Sequence, residues 1–123
     1  MSKYFPDWPD YDEQVPIYDI RGLDENTIKT VGIALFTRVM PRADVIAVKP
    51  GRLLLIEFDK QMDAMKVSRL LAYADAIRHD YVRPEWRKAK IEMVYVTPAY
   101  DSRIEAQCKA HGIRYIVEPE PMV

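Results

Sequence analysis

Cysteine is almost missing from this 123-residue chain: Cys108 stands alone, which excludes an intramolecular disulfide and any cysteine-rich zinc module and fits a reducing compartment. Glycine is nearly as scarce. Gly22, Gly32, Gly51 and Gly112 are isolated from one another, so there is no glycine-rich phosphate loop, and a small-molecule enzyme on a doubly wound sheet has little support. Apolar runs such as Leu53 to Ile56 are far too short to span a membrane. The first residues are acidic and aromatic where a secretory leader would be basic and then apolar, so a soluble protein that is not secreted is expected. Neither sign of charge prevails. With 18 Lys and Arg against 19 Asp and Glu, the net charge of -1 gives no global attraction to nucleic acid, and any DNA site must be a local patch. What the chain does have is 49% hydrophobic and 30% charged residues, enough to bury the core of one domain.

Charge is distributed by segment. Residues 1–20 carry five acids and one base, a net -4, among Pro6, Pro9 and Pro16 and the aromatics Tyr4, Phe5, Trp8 and Tyr11. This composition describes an extended arm ahead of a single domain over residues 21–123, with residues 15–20 able to add a short strand. Its aromatics either pack on their own domain or dock on another subunit. Residues 60–90 hold eight bases against four acids, a net +4, and form the one basic region.

Apolar spacing predicts a helix from Asp24 to Met40 and a second from Met62 to His79, the latter with Val67, Leu70, Leu71, Ala74 and Ile77 on one stripe. Between them Ala43–Val48 and Arg52–Phe58 read as strands joined by Lys49-Pro50-Gly51, a type II turn signal. Ile91–Thr97 is a further strand, Ser102–His111 a short helix closed by Gly112, and Ile113–Val117 a last strand. Strands separated by helical crossovers imply an α/β sheet covered on both faces. His79 and His111 fall beside helix ends, where surface or capping roles are commoner than catalysis.

A turn centred on Pro50 and Gly51 sets Ile46 opposite Leu55, Val48 opposite Leu53 and Asp44 opposite Glu57. Like charges in direct cross-strand contact destabilise a sheet unless a positive charge sits between them. The same register sets Arg42 against Asp59, on the face that Glu57 occupies. Asp44, Glu57 and Asp59 are thus candidate oxygen ligands for Mg²⁺ or Mn²⁺. The plainer alternative is ordinary ion pairing, Asp59 with Arg42 and Glu57 with Lys60 or Lys66. Glu57 in the apolar strand LLLIEF weighs toward the metal, because an ionised glutamate there needs a partner.

The residues RADVIAVKPGRLLLIEFDK, then KVSRLLAYADAIRHD and IEMVYVTPAYDSRIEAQCKAHGIRYIVEP, resemble the PD-(D/E)XK nuclease superfamily over about the last two thirds of the chain. The resemblance implies a restriction-endonuclease-like core, a central mixed β-sheet flanked by helices. It implies metal-ligand roles for Asp44 and Glu57, and it matches Glu25 to an acid on the first helix and Arg69 and Tyr73 to positions bordering the site. The slot two after Glu57, lysine in the family, is Asp59 here. Asp59 could act as a base there, and Lys60 or Lys66 could take over the lysine's task.

Two functions compete. One is a Mg²⁺- or Mn²⁺-dependent DNA endonuclease of phage or mobile-element type, with Asp44, Glu57, Asp59, Lys60 and Lys66 at the reacting phosphate and Arg69, Arg78, Arg83, Arg87, Lys88 and Lys90 on the flanking DNA backbone. Trp86 among them would either stack on a base or anchor the packing. The other is a catalytically degenerate nuclease fold that serves as an assembly subunit, as in a phage particle, associating with itself or a protein partner through Tyr4, Phe5, Trp8 and Tyr11. The expected setting is the host cytoplasm or such a particle.

Overall fold

Leu53, Leu54, Leu55, Ile56 and Glu57 are buried in succession, as a strand must be when both of its faces are covered. In the computed structural model, which describes residues 5–8, 10–17, 42–62, 64–80 and 83–119, this strand, β3 (Arg52–Phe58), is the middle of five. Antiparallel β2 (Arg42–Lys49) lies on one side of it, with β1 (Tyr11–Pro16) antiparallel beyond. Parallel β4 (Lys90–Thr97) lies on the other side, followed by parallel β5 (Arg114–Val117). Helix α1 (Met65–Ile77) and a 3-10 turn (Pro84–Lys88) connect β3 to β4, and α2 (Ser102–Ala110) connects β4 to β5. The result is the expected α/β architecture with a mixed sheet.

Local chemistry accounts for the joints. Gly51 takes φ +70° at the hairpin turn, and the paired residues Val48 with Leu53 and Ile46 with Leu55 follow the expected register. Asp101 caps α2 by accepting from the N–H groups of Arg103 and Ile104, and Gly112 at φ +68° ends it. Helix α1 starts at Met65, three residues later than its apolar stripe predicts. The Asp59 carboxylate accepts from the N–H groups of Gln61 and Met62, and the chain then passes through left-handed conformations at Met62 and Ala64 before the helix can begin.

Each face of the sheet has its own core. On one, Leu53, Leu55 and Tyr95 meet Val67, Leu70, Tyr73 and Ile77 of α1, with Ile104 and Cys108 of α2. Burial pushes the Cys108 thiol up to about 11, so it is a packing residue. On the other face Phe5 and Trp8 cover Val45, Ala47, Leu54, Ile56, Val94 and Ile116. Of the two alternatives left open for the aromatics of the N-terminal stretch, Phe5 and Trp8 take the first. β1 is an edge strand of the sheet, a few residues earlier than the predicted 15–20, and Phe5 and Trp8 pack on their own domain. Lys49 and Arg52 lie 4.5 and 5.3 Å from the Trp8 ring centre, and Arg114 lies 5.2 Å from that of Phe5. Tyr11 is 43% exposed. Tyr4 and the predicted helix 24–40, with Glu25, lie outside the described residues. No helix among the described residues is long and apolar enough to cross a membrane.

Candidate active site

Asp44 and Glu57 meet as the hairpin register requires, but their side chains replace backbone groups in the ladder. The Asp44 N–H donates to Glu57 Oε2 at 2.7 Å, and the Phe58 N–H donates to Asp44 Oδ2 at 2.9 Å. Both carboxylates are thereby fixed at the end of the β2–β3 pair. Lys66, in the first turn of α1, closes the group from above: its Nζ lies 3.2 Å from Asp44 Oδ2 and 3.8 Å from Glu57 Oε1. Helix α1 can deliver it there because α1 begins directly over the end of β3.

The electrostatics separate the two acids. Burial raises the Glu57 carboxyl to about 7, and the neighbouring Asp44 charge adds to the rise against the pull of the Asp44 N–H and Lys66. Burial also pushes Asp44 upward, but the Phe58 N–H, Glu57 and Lys66 outweigh it and hold Asp44 below the usual carboxylate range. Glu57 Oε1 is buried and has no hydrogen-bond partner. A cavity of about 530 Å³ opens beside Asp44, lined among others by Gln14, Asp59, Lys60, Lys66 and Arg69, with Glu57 buried behind Asp44. Tyr73 on α1 feels the pair, its hydroxyl pKa raised first by burial and then by the Glu57 charge.

Asp59 does not join the carboxylate pair. Its Oδ1 accepts from Gln61 and Met62, and its Oδ2 accepts from the Tyr95 hydroxyl, a close contact on the core side of the sheet. Both oxygens are thus engaged, and Asp59 is 2% exposed. The expected Arg42 pairing gives way to a different arrangement in which the Arg42 guanidinium donates to the Gln14 carbonyl at 3.1 Å. Among the described residues no three of His, Cys, Asp and Glu gather as a metal group. The three-carboxylate cluster anticipated from the register is a two-carboxylate, one-lysine cluster. Lys60 lies past the end of β3 and borders the cavity.

Of the six basic residues expected on DNA, only Arg69 borders the cavity. Lys90 begins β4 beside Arg52, five residues before Glu57 along β3, roughly 17 Å away at strand rise. Near that far end Arg78 donates to the carbonyls of Arg87 and Ala89, and Arg87 donates to the Asp80 carbonyl at 2.7 Å. Arg83 grips the fully buried Asp80 carboxylate, reaches the Pro16 carbonyl at 2.6 Å and lies 3.7 Å over the Trp86 ring. Arg78, Arg83 and Arg87 therefore clamp the connection after α1, and the buried Trp86 is its packing anchor. Lys88 and Lys90 are exposed at the same end.

The residue absent from sequence reasoning is Gln14. Register sets Glu13 against Val45 and Val15 against Ala43, so Gln14 falls across from Asp44, and its amide nitrogen lies 3.4 Å from Asp44 Oδ1. A pairing between strands separated by residues 17–41 leaves no local signal in the sequence.

These residues fit a hard divalent cation. An orphaned buried carboxylate oxygen, an oxygen-only donor set and a water-accessible cavity are what Mg²⁺ or Mn²⁺ requires. Asp44 and Glu57 would hold it.

A carboxylate pair and a lysine stand at the end of a central hairpin, on the mixed sheet with crossover helices that the sequence resemblance implied. Solved structures carry the same fold. A repair endonuclease from Pyrococcus abyssi superposes with a TM-score of 0.52 at 17% identity, over 89% of this chain and 40% of that one. EndoMS in complex with dsDNA superposes with a TM-score of 0.52 at 14% identity, over 99% of this chain and 44% of that one. The chain thus spans about two fifths of the length of each. No family model matches the chain, and no curated protein does.

Proposed function

We propose that this domain is a Mg²⁺- or Mn²⁺-dependent nuclease that hydrolyses phosphodiester bonds in DNA. The observation that carries the proposal is Lys66, whose ammonium stands against both Asp44 and Glu57 where the motif's own lysine slot holds Asp59. A lysine beside paired carboxylates on a fold shared with repair endonucleases restores the complement of charges that the slot has lost.

Asp44 and Glu57 would hold the cation, which when bound lowers the pKa of a water and neutralises phosphate charge. Lys66 orients the attacking water and offsets the charge that builds on the phosphate. Arg69, exposed at the cavity wall one turn along α1, engages a non-bridging phosphate oxygen, and Lys60 borders the same space. Asp59 acts as a structural clamp that sets where α1 begins. Arg69, Lys60 and Lys66 form the local patch through which an otherwise neutral protein holds DNA. Against the alternative of an assembly subunit stands the burial of Phe5 and Trp8 by their own sheet, which leaves Tyr11 as the exposed aromatic of the set among the described residues.

The test is cleavage of supercoiled, linear and branched DNA with Mg²⁺ and with Mn²⁺, comparing the native chain with Glu57→Ala and Lys66→Met. Metal-dependent cutting that both substitutions abolish is the expected result. Cutting that survives Glu57→Ala, or a native chain that binds Mn²⁺ and cuts none of these substrates, overturns the proposal.

A further inference from the structure

Gln14 takes φ 51°, the left-handed region, in the middle of a strand whose neighbours pair regularly with β2. A residue with a Cβ pays for that conformation, and such outliers persist where the surrounding structure forces them, often at functional sites. Here Arg42 holds the twisted peptide by donating to the Gln14 carbonyl at 3.1 Å. The twist sets the side-chain amide at the cavity, 3.4 Å from Asp44 Oδ1. Met62 and Ala64, the other non-glycine residues with positive φ among the described residues, lie between Gln61 and Met65, which line the same cavity, but pack against the core themselves. Gln14 is thus the strained residue of the three whose own side chain reaches the cavity.

Asp44 and Glu57 supply two carboxylates, and both oxygens of Asp59 are engaged by Tyr95, Gln61 and Met62. We infer that the Gln14 side-chain carbonyl is the third protein oxygen of the divalent-cation site, beside Asp44 and Glu57. This rests on the metal reading proposed above. The amide nitrogen and oxygen exchange places by a half-turn of the terminal torsion. The NH₂ group faces the Asp44 carboxylate, and beside a cation held by Asp44 the amide would turn to present its carbonyl oxygen. A neutral amide oxygen is an ordinary ligand for a hard cation and adds no charge beside the Asp44–Glu57 pair.

Gln14→Gly separates this role from a structural one, since glycine adopts the observed φ without strain. Calorimetric titration of the chain with Mn²⁺ is the readout, with urea unfolding alongside. Gln14→Gly is expected to raise the urea midpoint while weakening Mn²⁺ binding about tenfold or more, and Gln14→Glu to bind Mn²⁺ at least as tightly as the native chain. Native binding left unchanged by Gln14→Gly, or Gln14→Glu binding more weakly than Gln14→Gly, overturns the inference and leaves the Asp44–Glu57 site standing. A native chain that binds no Mn²⁺ overturns the metal reading itself, and the inference with it.

Discussion

Replacing Glu57 by glutamine removes a charge that the fold holds at a disadvantage, and the effect should depend on pH. Glu57 is fully buried, its Oε1 has no hydrogen bond, and its carboxyl titrates near 7 in the folded chain against 4.5 in the unfolded one. Below pH 4.5 both states carry the proton and there is no penalty. Between 4.5 and 7 the folded state keeps a proton that the unfolded state has released, so stability falls as pH rises, and above 7 the loss is constant. The interval corresponds to about 3 kcal/mol at most. Glutamine keeps an oxygen for the Asp44 N–H and has nothing to ionise. Urea unfolding in EDTA should therefore find Glu57→Gln close to the native chain at pH 5 and more stable by about 1–3 kcal/mol at pH 8. Excess Mn²⁺ should return about 2.7 kcal/mol to the native chain at a hundredfold over its Kd and much less to the variant. Two stability curves that stay parallel from pH 5 to pH 8 would refute the reasoning, because Glu57 would then be an ordinary hydrogen-bonding residue.

Lys66→Met should lower the cutting rate about a hundredfold or more while calorimetry still finds Mn²⁺ bound; an unchanged rate would assign the lysine's task to another residue. Arg69→Ala should reduce the slope of log binding constant against log salt for DNA by about one, and Arg78→Ala should leave the slope unchanged, as titrations at several ionic strengths would record. Arg83→Ala takes the guanidinium from the buried Asp80 carboxylate, leaving the backbone N–H of residue 83 on it, and should cost about 1–3 kcal/mol in urea unfolding, against less than about 0.5 for Lys88→Ala. Tyr95→Phe takes the hydroxyl from Asp59 Oδ2 and should cost about 1–3 kcal/mol, delaying no step of metal binding measured by calorimetry.

The hairpin was legible because its determinants are local: Pro50 and Gly51 set the turn, the turn sets the register, and the register brings Asp44 to Glu57. Helix α1 was legible from its apolar stripe, and its late start was not, because that depends on Asp59 choosing backbone N–H groups and Tyr95 over a metal. Spacing places Asp59 on the right strand end but cannot say which neighbours its oxygens meet. The basic run misled for a related reason. Arginines that clamp carbonyls and a buried aspartate look the same in sequence as arginines awaiting phosphate, and only the burial of Asp80 separates them. Gln14 and Phe5 belong to a segment whose partners lie some thirty or more residues away, beyond any periodicity.

The two acids that end the β2–β3 ladder do carpentry besides the chemistry proposed for them. Since each accepts from a main-chain N–H at the end of the hairpin, a chain of this fold would need them to keep the hairpin shut whether or not it hydrolysed anything. Their persistence in a relative is therefore poor testimony to activity. Lys66 closes no main-chain joint; what it lends the scaffold is the positive charge set against both acids.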